Sequence, residues 1–83
     1  MYEIIFRTPA QKFLKKLDPF IRKEILKKIK KLEENPFIGE PLVGNLSGLW
    51  KLRYDKYRII YEVEDEKLII FVLNIGHRKN VYG

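Results

Sequence analysis

The sequence predicts an α+β fold in the order β-α-α-β-β-β, a helical hairpin packed on a mainly antiparallel four-stranded sheet. Three observations carry that expectation. Apolar residues recur at three- and four-residue steps through the first half, a Gly/Pro-rich stretch follows, and beyond it the apolar period changes to two. At 83 residues the chain makes one domain, spanning 1–83, whose single hydrophobic core must hold it together.

Taken in order, Tyr2 to Arg7 carries Ile4, Ile5 and Phe6 and reads as a short strand. Thr8-Pro9-Ala10-Gln11 reads as a helix start, with Thr8 as cap, Pro9 at the first helical position and Gln11 reaching back to the cap's N–H. This short helix runs through Leu17 and buries Phe13, Leu14 and Leu17. Asp18 caps a second helix that Pro19 opens. Ile21, Ile25, Ile29 and Leu32 share its inner side, with Leu26 beside them, and Asn35-Pro36 ends it because Pro36 pushes its predecessor out of the helical region. Residues 36–48 read as a loop. Leu49 to Tyr54, Tyr57 to Glu64 and Lys67 to Leu73 read as three strands, the last apolar on both faces as an interior strand is. The sequence does not fix which neighbour the first strand takes.

A hydrophobic share of 46% excludes disorder, and a net charge of +6 with 34% charged residues favours an anionic partner: nucleic acid, an acidic protein segment or a membrane surface. With no cysteine, and His77 as the single histidine, disulfides and thiolate or His-rich zinc sites are not available. No metal and no cofactor are expected. The chain lacks a membrane-length apolar run and a signal-peptide pattern, so a cytoplasmic protein is expected.

The segment from Leu49 to Tyr61 is the most informative. If Asp55-Lys56 is a two-residue hairpin loop, the register is fixed. Tyr54 then faces Tyr57, Arg53 faces Arg58, Leu52 faces Ile59 and Lys51 faces Ile60. Trp50, Leu52, Tyr54, Tyr57, Ile59 and Tyr61 form a core face, and Lys51, Arg53 and Arg58 gather on the other. Like charges directly opposite on a sheet carry a local cost that a bound anion would relieve. A solvated basic face explains the same charges. The segment Ile75-Gly76-His77-Arg78-Lys79-Asn80-Val81-Tyr82 adds further cationic and aromatic groups.

Gly48-Leu49-Trp50-Lys51-Leu52-Arg53, then Tyr57-Arg58-Ile59-Ile60-Tyr61-Glu62-Val63, then Phe71-Val72-Leu73-Asn74-Ile75-Gly76-His77-Arg78 and Val81-Tyr82 resemble the RelE/ParE toxin superfamily. The resemblance spans nearly the whole chain, and its specific part is the second half. It implies a RelE-like fold and the toxin of a type II toxin–antitoxin system. For RelE-type members it implies metal-independent cleavage of messenger RNA in the ribosomal A site, and neutralisation by a small acidic antitoxin that wraps the toxin in a hetero-oligomer. Position by position, Lys51 and Arg53 match the family's basic pair on the first hairpin strand. Arg58 matches its arginine on the next strand, Arg78 the arginine after the final glycine, and Tyr82 the near-terminal tyrosine. In two respects the chain departs from the pattern: the Arg78–Tyr82 spacing is shorter than in the best-known bacterial RelE, and the chain stops at Gly83 without the C-terminal helix of some members.

The expected chemistry is attack by an RNA 2′-hydroxyl on the adjacent phosphate. Arg53, Arg58 and Arg78 would steady the charge that gathers on the phosphoryl oxygens. Lys51 among arginines would favour a neutral amine able to act as a base. His77 is a second acid–base candidate, with an ordinary value near ~6.5, and Tyr82 would stack on a base. Lys12, Lys15, Lys16, Lys23, Lys27, Lys28, Lys30 and Lys31 are candidate contacts to ribosomal RNA, against the plainer reading of an ordinary helix exterior. Two alternatives remain at this point: a ParE-like toxin acting on DNA gyrase, and an inert module that only holds its antitoxin.

Overall fold

The computed structural model describes residues 1–77. Strand β1 is Glu3–Phe6, helix α1 Thr8–Lys16, and helix α2 Pro19–Lys30. They are followed by β2 (Glu40–Pro41), β3 (Leu49–Tyr54), β4 (Tyr57–Glu64) and β5 (Ile69–His77). The α+β layering is as expected, but the sheet has five strands rather than four, in the order β1-β5-β4-β3-β2. The additional strand, β2, lies inside the segment expected to be loop. Two residues, one of them Pro41, are too short to show a strand period.

The open question of β1 is answered by parallel pairing with β5, Ile4 opposite Ile70 and Phe6 opposite Val72, which places β5 inside the sheet. The two helices cover one face of the sheet, on the connection that carries the chain from β1 at one edge to β2 at the other. Ala10 and Leu14 from α1, Ile25 and Ile29 from α2, and Leu32 from the 3₁₀ turn that follows make one core with Leu52, Tyr57, Ile59, Tyr61, Ile70, Val72 and Ile75. Full burial of an isoleucine such as Ile25 is worth about 1.5–3 kcal/mol, and this cluster supplies most of the apolar driving force.

The helix boundaries follow local chemistry, with two corrections. Asp18 caps α2 as expected, its carboxylate accepting from the N–H groups of Phe20 and Ile21. Thr8 does not cap α1: the cap position belongs to Arg7, with no side-chain bond, and Thr8 is already helical. Gln11 donates to the Phe6 carbonyl at 2.7 Å instead of taking the cap's N–H. Helix α2 closes at Lys30 and tightens into the 3₁₀ turn Lys31–Glu33 ahead of Asn35-Pro36. The hairpin register is the expected one throughout, from Tyr54 opposite Tyr57 to Trp50 opposite Tyr61. Asp55 takes the left-handed conformation at φ 53 that a tight two-residue loop demands.

Candidate functional site: a basic face opposite the helices

Because side chains alternate along a strand, the register assigns Lys51, Arg53 and Arg58 to one side of the sheet, the side away from the helices. Arg53 and Arg58 are direct cross-strand partners. Their environments differ. Arg53 is exposed, whereas Arg58 is only 7% exposed, which the competing reading of a solvated basic face does not account for. Arg58 stands between Arg53 on β3 and Gly76 on β5, and Ile60, fully buried, is the next residue on its side of β4. A guanidinium held in such a place is preorganised: its planar fork points where the neighbouring strands allow.

Lys51 has a partner that the sequence reading did not include. The short strand β2 sets Glu40 opposite Lys51, and the Glu40 carboxylate lies 3.8 Å from the Lys51 ammonium. The lysine side chain is 13% exposed and the glutamate side chain 65%. The expectation that Lys51 sits among cations alone is therefore corrected by an acidic neighbour. No pattern in the sequence announces Glu40, since a carboxylate in a loop gains a position only when β2 pairs.

The loop carrying Glu40 is held from the sheet. Tyr61, fully buried on β4, donates its hydroxyl hydrogen to the Pro36 carbonyl at 2.8 Å and accepts from the Gly39 N–H at 3.2 Å. Desolvation pushes the Tyr61 hydroxyl up to about 12, against a smaller lowering by the Gly39 N–H. Phe37 packs on Trp50 with ring centroids 5.2 Å apart, and Leu42 donates to the Leu49 carbonyl.

His77 is not brought to this face. It pairs with Tyr57, a residue of the helix-side core, and its ring lies 5.1 Å from Tyr57 and 6.3 Å from Phe13 of α1. That placement removes it from the neighbourhood of Lys51, Arg53 and Arg58. Arg78 and Tyr82 lie outside the described residues.

The helix lysines form a second basic region on the other side of the molecule. Lys12, Lys15, Lys16, Lys23, Lys27, Lys30 and Lys31 are exposed and Lys28 is half-buried. Lys27 pairs with Glu24 at 3.9 Å, while Lys27, Lys28 and Lys31 share a shallow cleft with Tyr54. Between α2 and β1 runs a groove lined by Ile4, Phe6, Leu26 and Ile29 and edged by Glu3, Lys30 and Glu33. Among the described residues no three His, Asp or Glu side chains gather as metal ligands would. Among the same residues no helix is long and apolar enough to cross a membrane.

Solved structures with this architecture place the chain in a class. A chain of the RelBE2 toxin–antitoxin complex from Mycobacterium tuberculosis superposes with a TM-score of 0.84 at 32% identity, covering 93% of this chain and 98% of that one. A chain of the intact RelBE toxin–antitoxin complex from Escherichia coli gives 0.80 at 29% identity, covering 93% and 96%. The class is that of type II toxin–antitoxin systems, and this chain is a RelE-like toxin of that class.

Within it, a family model described as the ParE toxin of the type II toxin–antitoxin system, parDE, matches residues 4–82, and the chain belongs to that family. Its relatives include Toxin RelG of Mycobacterium tuberculosis, 31% identical over 98% of this chain and 95% of the relative. The mRNA interferase toxin RelE of Escherichia coli is 32% identical over 94% of this chain and 84% of the relative.

Proposed function

We propose that this toxin is a ribosome-dependent, metal-independent endoribonuclease that cleaves messenger RNA in the A site. The observation that carries the reading is the strand register, which gathers Lys51, Arg53 and Arg58 on one face. The 32% identity to an mRNA interferase supports it. The 2′-oxygen attacks the adjacent phosphorus, the bond from phosphorus to the 5′-oxygen breaks, and a cyclic phosphate and a free 5′-hydroxyl result. One group must take the 2′-hydroxyl proton and another must give a proton to the leaving oxygen.

Arg53, Arg58 and Arg78 are assigned to the phosphoryl oxygens, where preorganised donors are worth about 10²–10³-fold each. Proton exchange falls to Lys51 and Glu40, because a guanidinium holds its proton too tightly to pass it on. Tyr82 is assigned to base stacking, worth roughly 1–3 kcal/mol. The helix lysines dock on ribosomal RNA, giving binding that weakens steeply with salt. A small acidic cognate antitoxin holds the toxin in a cytoplasmic hetero-oligomer, with the groove between α2 and β1 as one contact surface for its apolar side chains.

Cell-free translation with mapping of mRNA ends tests the proposal. Codon-linked cuts from the unmodified toxin, lost in Arg58→Ala and Arg78→Ala proteins that still fold, support it. Inhibition of gyrase supercoiling without cuts points instead to the second reading that the parDE family description keeps open. Neither effect would leave an antitoxin-binding module.

A further inference from the structure

The buried hydroxyl of Tyr61 lies on the helix side of the sheet, yet it links the central strand β4 to the loop that carries Glu40. Residues 36–41 leave the helix layer, turn past the edge of β3 and end in β2, where Glu40 faces Lys51. The passage is narrow at Gly39. A Cβ there would lie 2.5 Å from the Lys51 carbonyl oxygen and 2.6 Å from the Tyr61 hydroxyl, so only glycine fits between them. The loop is thus clamped at one point, with the backbone of Lys51 on one side and Tyr61 on the other.

At that point Tyr61 uses both functions of its hydroxyl, donating to Pro36 and accepting from Gly39. Its neighbours keep the ring from swinging away: Trp50 stacks on it at 6.4 Å, and the residue has no exposed surface. The hydroxyl stays protonated, so the donor to Pro36 is permanent across the physiological range. A buried carbonyl and N–H satisfied by one rigid side chain define the loop's height above the sheet far better than the exposed residues on either side of it do.

We propose that Tyr61 is a positioning residue: by latching Pro36 and Gly39 it sets Glu40 against Lys51 and so fixes the Lys51 ammonium for proton transfer. This rests on the assignment of Lys51 to the reaction made above. The latch acts from the helix side of the sheet on a group that works on the opposite side, and Gly39 is the residue through which it acts. Removing the hydroxyl leaves Lys51 and Glu40 chemically intact but free to shift. Misplacement of a reacting group by about 1 Å is enough to cost up to ~10²-fold in rate.

The test is a double-mutant cycle on ribosome-bound mRNA, with hydrogen exchange as a second readout. Tyr61→Phe is expected to lower kcat by about 10- to 100-fold with KM within about twofold, and to speed exchange of the Gly39 amide at least about tenfold. In a Lys51→Met background Tyr61→Phe should cost no further kcat, because the group it positions is gone. Ile25→Val, a core change on α2, controls for lost stability and should leave kcat unaltered. The inference is overturned if Gly39 exchange is unchanged, or if Tyr61→Phe lowers kcat equally in both backgrounds. Lys51→Met with full kcat would instead overturn the reading of the site itself, whatever Tyr61→Phe does. Should Tyr61→Phe fail to fold, Gly39→Ala, whose Cβ would press on the Tyr61 hydroxyl and the Lys51 carbonyl, forces the same loop off its latch and must give the same pattern in the cycle.

Discussion

Arg53 and Arg58 face one another across β3 and β4, and that opposition should be measurable in the free protein. The perturbation is Arg53→Gln, which keeps a long polar side chain and removes one charge. Two unit charges about 7 Å apart repel by about 0.6 kcal/mol in bulk water and about 2.4 kcal/mol at an effective dielectric constant of 20. Arg53 is exposed, which favours the lower figure, and Arg58 is 7% exposed, which draws it upward. A gain of about 1 kcal/mol follows, or about 4–8 °C in Tm for a domain of this size.

The assay is calorimetric unfolding at low and at high salt. At low ionic strength Arg53→Gln should melt above the unmodified protein. By 1 M salt, where the screening length is only about 3 Å, the difference should nearly vanish. Phosphate or sulfate should raise Tm of the unmodified protein more than that of the variant, since an anion between the arginines relieves the same repulsion. Cleavage should fall by about 10²-fold or more as stability rises. A variant that melts lower at low salt, or whose gain is indifferent to salt, would refute the idea that this face stores repulsion for an anion to relieve.

Three further outcomes are expected. Tyr61 ionises near ~10 in an unfolded chain and at about 12 in the fold, so the fold binds the proton more tightly. The stability held by the neutral hydroxyl is therefore complete below pH ~10 and lost between about 10 and 12, roughly 2–3 kcal/mol in all, and a Tyr61→Phe protein should lack that alkaline slope in its unfolding curves. Arg22 donates to the Leu14 and Leu17 carbonyls at 3.0 and 3.1 Å, closing the C-terminus of α1. Arg22→Met should cost about 1.5–3 kcal/mol in denaturant titration, and a smaller loss would mean water replaces the guanidinium. His77→Gln should cleave at the unmodified rate, a direct check on its position beside Phe13 and Tyr57.

The hairpin was legible because two local constraints coincide there. A two-residue loop sets the register, and the apolar alternation agrees with it, so every pair from Trp50 to Tyr61 follows. The cap of α2 was legible for a similar reason: Asp18 followed by Pro19 is a local signal with a local cause. What escaped depends on residues distant in sequence. The parallel partner of β1 is β5, more than half the chain away, and no property of Ile4 or Phe6 names Ile70 and Val72. Strand β2 exists because β3 offers an edge and Tyr61 fixes the loop. The misassigned cap at Thr8 reflects competition over a single residue: Pro9 fits either of the first two helical positions, and the tertiary pairing of Arg7 N–H with Val72 carried the helix start one residue earlier.

His77 is the instructive case, because its place turns on one inserted residue. Pairing of β4 with β5 runs regularly from Glu64 opposite Ile69 to Tyr61 opposite Val72, then resumes with Ile60 opposite Asn74. Leu73 has no counterpart on β4, which is a bulge. Strict alternation from the buried Val72 would send Ile75 and His77 to the basic face and Gly76 to the core. The bulge exchanges them: Ile75 enters the core, His77 meets Tyr57, and Gly76 comes to stand opposite Arg58. The single histidine is thereby moved away from the arginines, and the residue without a side chain is set beside the buried one. An interior strand apolar on both faces gives no sequence signal for such a shift, since Leu68 to Leu73 satisfies either parity. Gly76 stands opposite Arg58 because the bulge absorbs that extra residue, and a Leu73 deletion should straighten the strand while leaving Ile75 in the core and His77 beside Tyr57, since the pairs from Ile60 to Tyr57 keep their partners.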